Sequence, residues 1–288
     1  MKHILGYGIK ISVKMTKTEN NSSAEKFFRR YLRIAPLCVA LWRSVEARHL
    51  STVDLKRPIL DVGCGWGEFA EAFGKKIDMG VDICARDLHV AAKGGMYKKL
   101  VLADGRDLPF KDNAYSSIIS ISTFEHIAGT AKLLKEMHRV LKPNGVLAIT
   151  METDEVDSNT FYRPLLKKIG LPFMSDFLTW AYNTYFHRRT LPTKKEWIHH
   201  IEKSGFKIIQ VKDIISPIVT KLYDIFILSS WPAQIFRLIV GRRKVFRPKF
   251  VEDFLVKIFL KYIEEDEKIG TNLFIVSKKF DMISSKIS

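Results

Sequence analysis

The stretch Asp61-Val62-Gly63-Cys64-Gly65-Trp66-Gly67 stands between an apolar run and a helix-forming stretch. Glycines there let a backbone turn tightly and approach a ligand closely. The helix start beyond them offers free N–H groups and a field that favours a carboxylate. A dinucleotide site would use the same geometry for a pyrophosphate, with a third glycine in G-x-G-x-x-G. That third position is Glu68, whose charge would repel a pyrophosphate. Asp82 follows 19 residues after Gly63, at the end of a second apolar run. A carboxylate there can accept hydrogen bonds from both hydroxyls of a ribose. Asp104 ends a third run, where it can accept from an adenine amino group. Each aspartate alone could be a solvated strand end or a helix cap. Three successive strand ends carrying such groups are hard to obtain by accident.

A second group of residues could act on a substrate. Glu125-His126 follows the fourth apolar run. His126 is the first candidate for a base or a positioning group, and Glu125 is expected to be structural. Tyr185 and His187 lie in the aromatic segment Tyr182-Asn183-Thr184-Tyr185-Phe186-His187-Arg188-Arg189. That segment could close over a substrate, or form a packed helix end with solvated arginines. Cys64 has no cationic sequence neighbour to lower its pKa, so it is expected to fill space rather than attack. Trp66 is expected to pack on neighbouring helices. His199 and His200 are assigned no role.

The elements that must position these residues alternate along the chain. Residues 58–63, 77–83, 98–104, 115–122 and 146–152 read as strands. Helices are predicted over 68–76, 85–95 and 130–142, the last with apolar positions at Leu133, Leu134, Met137, Val140 and Leu141. This rhythm argues for a mostly parallel sheet with helices on both faces. Residues 155–190 break it with an aromatic insertion. It resumes with a helix over 193–206 and a strand over 207–214, and a last strand is predicted over 271–279. Four regions follow: a basic N-terminal segment with helices over 1–57, a core over 58–215, a basic apolar helical insertion over 216–263, and the final strand and tail over 264–288. Within the first, residues 1–22 read as irregular and 23–49 as helical, with Ser23 as cap and Pro36 as a break.

The blocks ILDVGCGWGEF, MGVDI, ADGRDLPF, YSSIISISTFEHI and KEMHRVLKPNGVLAIT resemble the class I S-adenosylmethionine (SAM)-dependent methyltransferases, in the broad subgroup of ubiquinone/menaquinone-type and other small-molecule enzymes. The resemblance covers about residues 58–150. It implies a Rossmann-like, seven-stranded, mostly parallel sheet with an antiparallel last strand and helical cap insertions. It also implies roles for SAM as cofactor. Gly63, Cys64 and Gly65 would line the methionine part, with Asp61 near its amino group. Asp82 would hold the ribose, with Ile83 beside it among the cofactor-binding residues. Asp104 would face the adenine, with Gly105 providing room, and Ser122 would present backbone near the sulfonium. The family's glycine pair before the fifth strand is Asn144-Gly145 here, a mild departure because Asn tolerates positive φ.

Methyl transfer needs in-line approach to a methyl group that is already activated, so alignment can supply up to ~7–11 kcal/mol. A base is needed only where the acceptor must lose a proton. Amino-methylating nucleic-acid enzymes often carry an [Asn/Asp]-Pro-Pro-aromatic block where this chain has Ser120-Ile121-Ser122-Thr123. Cytosine C5 enzymes need a cysteine in a Pro-Cys or Thr-Cys context, and neither dipeptide occurs. A small-molecule or lipid-like acceptor therefore leads over RNA, and over a SAM-binding protein without catalysis.

The composition fits this reading. The chain has 288 residues, 47% hydrophobic and 27% charged, which is globular rather than disordered. Its three cysteines form no CxxC pair and no metal spacing, as in a cytoplasmic protein with reduced thiols. The net charge is +16, concentrated at the flanks: residues 1–57 carry 12 basic and 4 acidic side chains, and residues 216–262 carry 9 and 3. Such flanks suit an anionic surface. The segment 216–250, with Trp231 and the cluster Arg242, Arg243, Lys244, Arg247 and Lys249, is expected to dock peripherally on the inner membrane face. No charge-free stretch is long enough to span a bilayer.

Overall fold

The computed structural model describes residues 17–188, 191–227, 230, 245–265 and 269–280. Seven strands form one sheet: β1 (Ile59–Val62), β2 (Ile77–Asp82), β3 (Tyr97–Leu102), β4 (Tyr115–Ile121), β5 (Leu141–Glu152), β6 (Phe206–Ile214) and β7 (Asn272–Lys279). Their order is β3-β2-β1-β4-β5-β7-β6. The first five are parallel, and β7 runs antiparallel to both β5 and β6. The mostly parallel sheet with an antiparallel last strand is thus as expected. β5 begins at Leu141, earlier than the expected 146, because Leu141 pairs with Tyr115 ahead of an irregularity. Asn144 lies within that irregularity at φ 59°.

Side chains alternate across the central strands and feed two apolar cores. Leu60, Val62, Ile118, Leu147, Ile149, Leu273 and Ile275 pack on one face, under α5 (Thr130–Val140) and α9 (Lys194–Lys203). Ile59, Ile119, Ile121, Ala148, Phe274 and Val276 pack on the other, against α1 (Lys17–Ile34), α2 (Leu37–Ser51) and α3 (Glu68–Phe73). Burial on both faces explains why these strands read as near-continuous apolar runs. Helix α4 (Ala85–Gly94) joins β2 to β3. The aromatic insertion folds as three helices, α6 (Glu155–Ser158), α7 (Tyr162–Lys168) and α8 (Pro172–Tyr185), and α10 (Pro217–Ile227), α11 (Lys249–Phe259) and α12 (Lys261–Glu264) precede β7.

Two expectations for the N-terminal region are corrected. The first helix starts at Lys17 rather than at a Ser23 cap. The region also enters the core: α2 buries Leu41, Trp42, Val45 and Leu50 together with Glu46, Arg48 and His49. A buried Leu or Val contributes ~1.5–3 kcal/mol, so α2 is a structural layer of the sheet and not a basic flank. Glu252 on α11 pins α1 in turn. It accepts hydrogen bonds from Arg33 at 3.0 Å and Arg29 at 3.1 Å. The hydrogen bonds from Arg33, above all, hold its carboxyl below the usual range.

The strand order reverses direction around β1, whose neighbours are β2 and β4. In such sheets the carboxyl ends of the strands at the reversal leave a crevice for a ligand.

Candidate functional site

That crevice is built from the ends of β1, β2 and β4. The chain leaves β1 through Gly63, at φ 79°. A Cβ on Gly63 would lie 2.3 Å from Cγ2 and 2.6 Å from Oγ1 of Thr123. Only glycine fits between these strand ends. Gly65 is also left-handed at φ 50°, but a Cβ there would meet nothing within 4 Å. Asp82 ties this loop down: Oδ2 accepts from the Gly65 N–H at 2.8 Å, and Oδ1 accepts from the Cys84 N–H at 2.9 Å. A carboxylate has about four acceptor positions, so both oxygens keep capacity for a ligand.

A cavity of about 1200 Å³ opens here. Gly63, Cys64, Gly65, Asp82, Ile83, Asp104, Gly105 and Ser122 line it, and so do His126, Tyr185 and His187. One expected residue does not reach the wall. Asp61 is buried behind the loop, where its Oδ2 accepts from the Tyr97 hydroxyl at 2.7 Å. Burial pushes the Asp61 carboxyl up to about 7. Asp104 reaches the wall but is shared with Arg106, which donates to both carboxylate oxygens, the shortest contact being 2.6 Å. Hydrogen bonding from Arg106 keeps the Asp104 carboxyl below its usual range. Burial pushes the Cys64 thiol well up, so it holds no thiolate at neutral pH.

Two expectations change at the glycine loop. Trp66 was expected to pack on neighbouring helices, yet it lines the cavity. The helix after the loop was expected to seat a carboxylate. It has only six residues and carries Glu68 and Glu71 in its first turn, which oppose an anion. The cationic group near the loop comes from elsewhere. Arg43 of α2 lines the cavity, donating from Nη1 to Glu46 Oε2 at 2.8 Å. Tyr31 of α1 also lines it, and its buried hydroxyl has no hydrogen-bond partner among the described residues. Neither residue was legible as a site residue, because only the fold brings α1 and α2 over a loop some 20 residues downstream.

The far end of the cavity is a cluster of charges. Ser122, at φ 44°, donates from Oγ to Glu46 Oε1 at 2.6 Å and from its amide to Thr150 Oγ1 at 3.0 Å. Thr150 Oγ1 donates to the same Glu46 oxygen at 2.7 Å. His126 ends a short 3-10 turn, Phe124–His126. Burial lowers its pKa, and its ring reaches the backbone of His187, which itself sits at φ 52°. Glu125 and Glu152 line the wall too, and burial pushes each carboxyl up to about 7. Arg188 is buried beside them. Its Nη2 lies 2.8 Å from Glu152 Oε2, and its Nη1 lies 3.1 Å from Asp157 Oδ1. The Glu152 contact pairs the charges without the alignment of a hydrogen bond. Arg188 thus points inward rather than into solvent.

A family model described as a methyltransferase domain matches residues 60–149. An uncharacterized protein of Methanocaldococcus jannaschii is 30% identical over 165 residues, covering 57% of this chain and 71% of that protein. The demethylmenaquinone methyltransferase of Geobacillus kaustophilus is 28% identical over 202 residues, covering 64% and 82%. The probable tRNA methyltransferase 9B of Bos taurus is 34% identical over 94 residues, but the match covers 32% of this chain and only 20% of that protein. Among solved structures, a SAM-dependent methyltransferase of Thermotoga maritima aligns with TM-score 0.53 at 16% identity, over 92% of this chain and all of that one. The [4+2]-cyclase SpnF aligns equally well, at 0.53 and 17% identity, over 84% and 81%. Likeness at that level concerns the fold alone.

Proposed function

The chain belongs to the class I SAM-dependent methyltransferases, and from that premise we propose that it methylates a small or lipid-like molecule bound in the charged end of the cavity. SAM supplies a methyl group already activated on its sulfonium, whose S–C bond breaks with the electron pair left on sulfur. The observation that carries the acceptor reading is the size and continuity of the cavity. About 1200 Å³ exceeds the ~300–1,000 Å³ typical of a single-ligand site. That volume has room for SAM and a second molecule beside it.

In this reading Gly63, Cys64 and Gly65 lie along the methionine part, and Asp61 supports the loop from behind. Asp82 holds the ribose, with Ile83 against the nucleoside. Asp104 and Gly105 face the adenine. Ser122 offers its carbonyl, since its amide is already bonded. Arg43 and the Tyr31 hydroxyl take the methionine carboxylate, which the helix start does not favour. His126, Tyr185 and His187 belong to the acceptor end. Desolvation lowers the His126 pKa and so favours the neutral ring, which can accept a proton.

The test is transfer of label from SAM into separate metabolite, lipid and RNA fractions. Label in the metabolite or lipid fraction is expected. Label confined to RNA would replace this acceptor class with the one named in the tRNA methyltransferase relative. That relative's match spans 94 residues, about the length of the methyltransferase domain match, so it speaks to the cofactor half rather than to the acceptor.

We also propose peripheral binding to an anionic membrane. Part of the segment expected to dock, including Trp231 and Arg242, Arg243 and Lys244, lies outside the described residues. Arg247 is described, and it is turned inward to donate to the Ala35 carbonyl at 3.0 Å. Support comes instead from the aromatic insertion. Phe173, Phe177 and Trp180 on α8 and Ile169 beside it are each more than half exposed, next to Lys167 and Lys168. Apolar rings beside lysines suit an interface. No helix among the described residues is long and apolar enough to cross a membrane. Co-sedimentation with vesicles containing anionic lipid should be lost when Phe173, Phe177 and Trp180 are changed to Ser. Equal sedimentation of the variant would remove the membrane claim.

A further inference from the structure

The acceptor end of the cavity holds a buried carboxylate that no other described side chain bonds. Glu125 is 1% exposed, lines the cavity, and has no hydrogen-bond partner at either oxygen among the described residues. Leaving such a group buried and unpaired costs several kcal/mol in general, so a ligand that pairs with it is favoured. The neighbouring charges are already matched. Arg43 bonds Glu46 at 2.8 Å. Arg188 faces Glu152 and Asp157, and Arg163 bonds Asp157 at 2.5 Å. Among the described residues, four carboxylates, Glu46, Glu125, Glu152 and Asp157, thus meet three guanidinium groups, and Arg43 and Arg188 act on Glu125 through space without bonding it. His126 Nε2 lies 3.9 Å from Glu125 Oε1, and desolvation favours its neutral ring.

Aromatic rings contribute to the same cavity wall. Trp42 and Tyr223 lie with ring centroids 5.1 Å apart, and Tyr182 sits under Arg188 at 5.2 Å. All three line the cavity. Aromatic faces beside an unpaired carboxylate attract a compact cation and offer nothing to an anion.

We propose that the methyl acceptor is an amine, bound as its ammonium ion with an N–H donated to the Glu125 carboxylate. This rests on the methyltransferase reading above and names the acceptor class for the same site. An ammonium nitrogen has no lone pair, so it must lose a proton before it can take a methyl group. The proton passes from nitrogen to a Glu125 oxygen: the N–H bond breaks, the O–H bond forms, and the electron pair stays on nitrogen. Burial, which pushes the Glu125 carboxyl up to about 7, lets it take a proton near neutral pH.

The test uses three probes of one shape and different charge: 2-phenylethylamine, 2-phenylethanol and phenylacetate. Each is titrated at neutral pH into the full chain saturated with S-adenosylhomocysteine. The amine should bind at least about tenfold more tightly than the alcohol, and phenylacetate more weakly than either. Glu125→Gln should bring the amine to the level of the alcohol while S-adenosylhomocysteine still binds as in wild type. Equal or tighter binding of the alcohol or the acid by wild type overturns the proposal, and this arm needs no variant to fold. Loss of S-adenosylhomocysteine affinity in Glu125→Gln, with amine preference kept, also overturns it, because Glu125 would then serve the cofactor's own ammonium. Failure of wild type to bind S-adenosylhomocysteine at all would sink the methyltransferase reading itself.

Discussion

Gly63→Ala should weaken S-adenosylhomocysteine binding by about 100-fold or more and lower the thermal midpoint. Two costs act together. A left-handed backbone costs a residue with a Cβ ~1–2 kcal/mol. Forcing a methyl into a filled space costs a further ~1–3 kcal/mol. The space is filled by the branched side chain of Thr123, 2.3 Å from the new methyl, which cannot swing away as a long flexible chain would. Relief would require the ends of β1 and β4 to separate, and those ends form the floor of the cavity. Gly65→Ala provides the contrast. Its backbone is also left-handed, but the added methyl meets nothing within 4 Å. It should lower the melting temperature less than Gly63→Ala. Equal melting temperatures for the two variants would show that the close approach at Thr123 is not a constraint.

Asp82→Ala should weaken S-adenosylhomocysteine by roughly 10- to 150-fold, from the ~1.5–3 kcal/mol carried by hydrogen bonds to a charged group. The loss has two sources. The variant lacks the acceptor proposed for the ribose hydroxyls. It also leaves the amides of Gly65 and Cys84 without the oxygens they now reach at 2.8 and 2.9 Å, so the glycine loop is no longer tied down. Asp82→Asn separates these sources, because its single carbonyl oxygen can keep only one of the two amides. An intermediate loss is expected for Asn in calorimetric titration. Unchanged affinity in Asp82→Ala would refute the ribose assignment.

Much of the cofactor side was legible in the sequence because it is built from local signals. A glycine run that follows a strand, and aspartates that end the next two strands, sit close to their own elements. The fold inherits its geometry from that alternation. The acceptor side was not legible in the same way. Glu46 on α2 meets Ser122 and Thr150, 76 and 104 positions further along the chain. No periodicity within α2 announces this. The basic residues of 1–57 suggested a surface for an anionic partner, whereas Arg43, Glu46, Arg48 and His49 turn toward the interior of the fold. Glu125 was expected to be structural because a lone carboxylate beside a histidine gives no hint of burial. Its function as a candidate emerges only when every neighbouring charge can be paired off.

The crevice at the ends of β1, β2 and β4 is proposed to hold SAM rather than a dinucleotide. Competitive calorimetric titration of the wild-type chain with S-adenosylhomocysteine and NADH tests it most directly. S-adenosylhomocysteine should bind, with NADH at least about 100-fold weaker because Glu68 opposes a pyrophosphate at the glycine loop. Tighter binding of NADH than of S-adenosylhomocysteine would contradict the account.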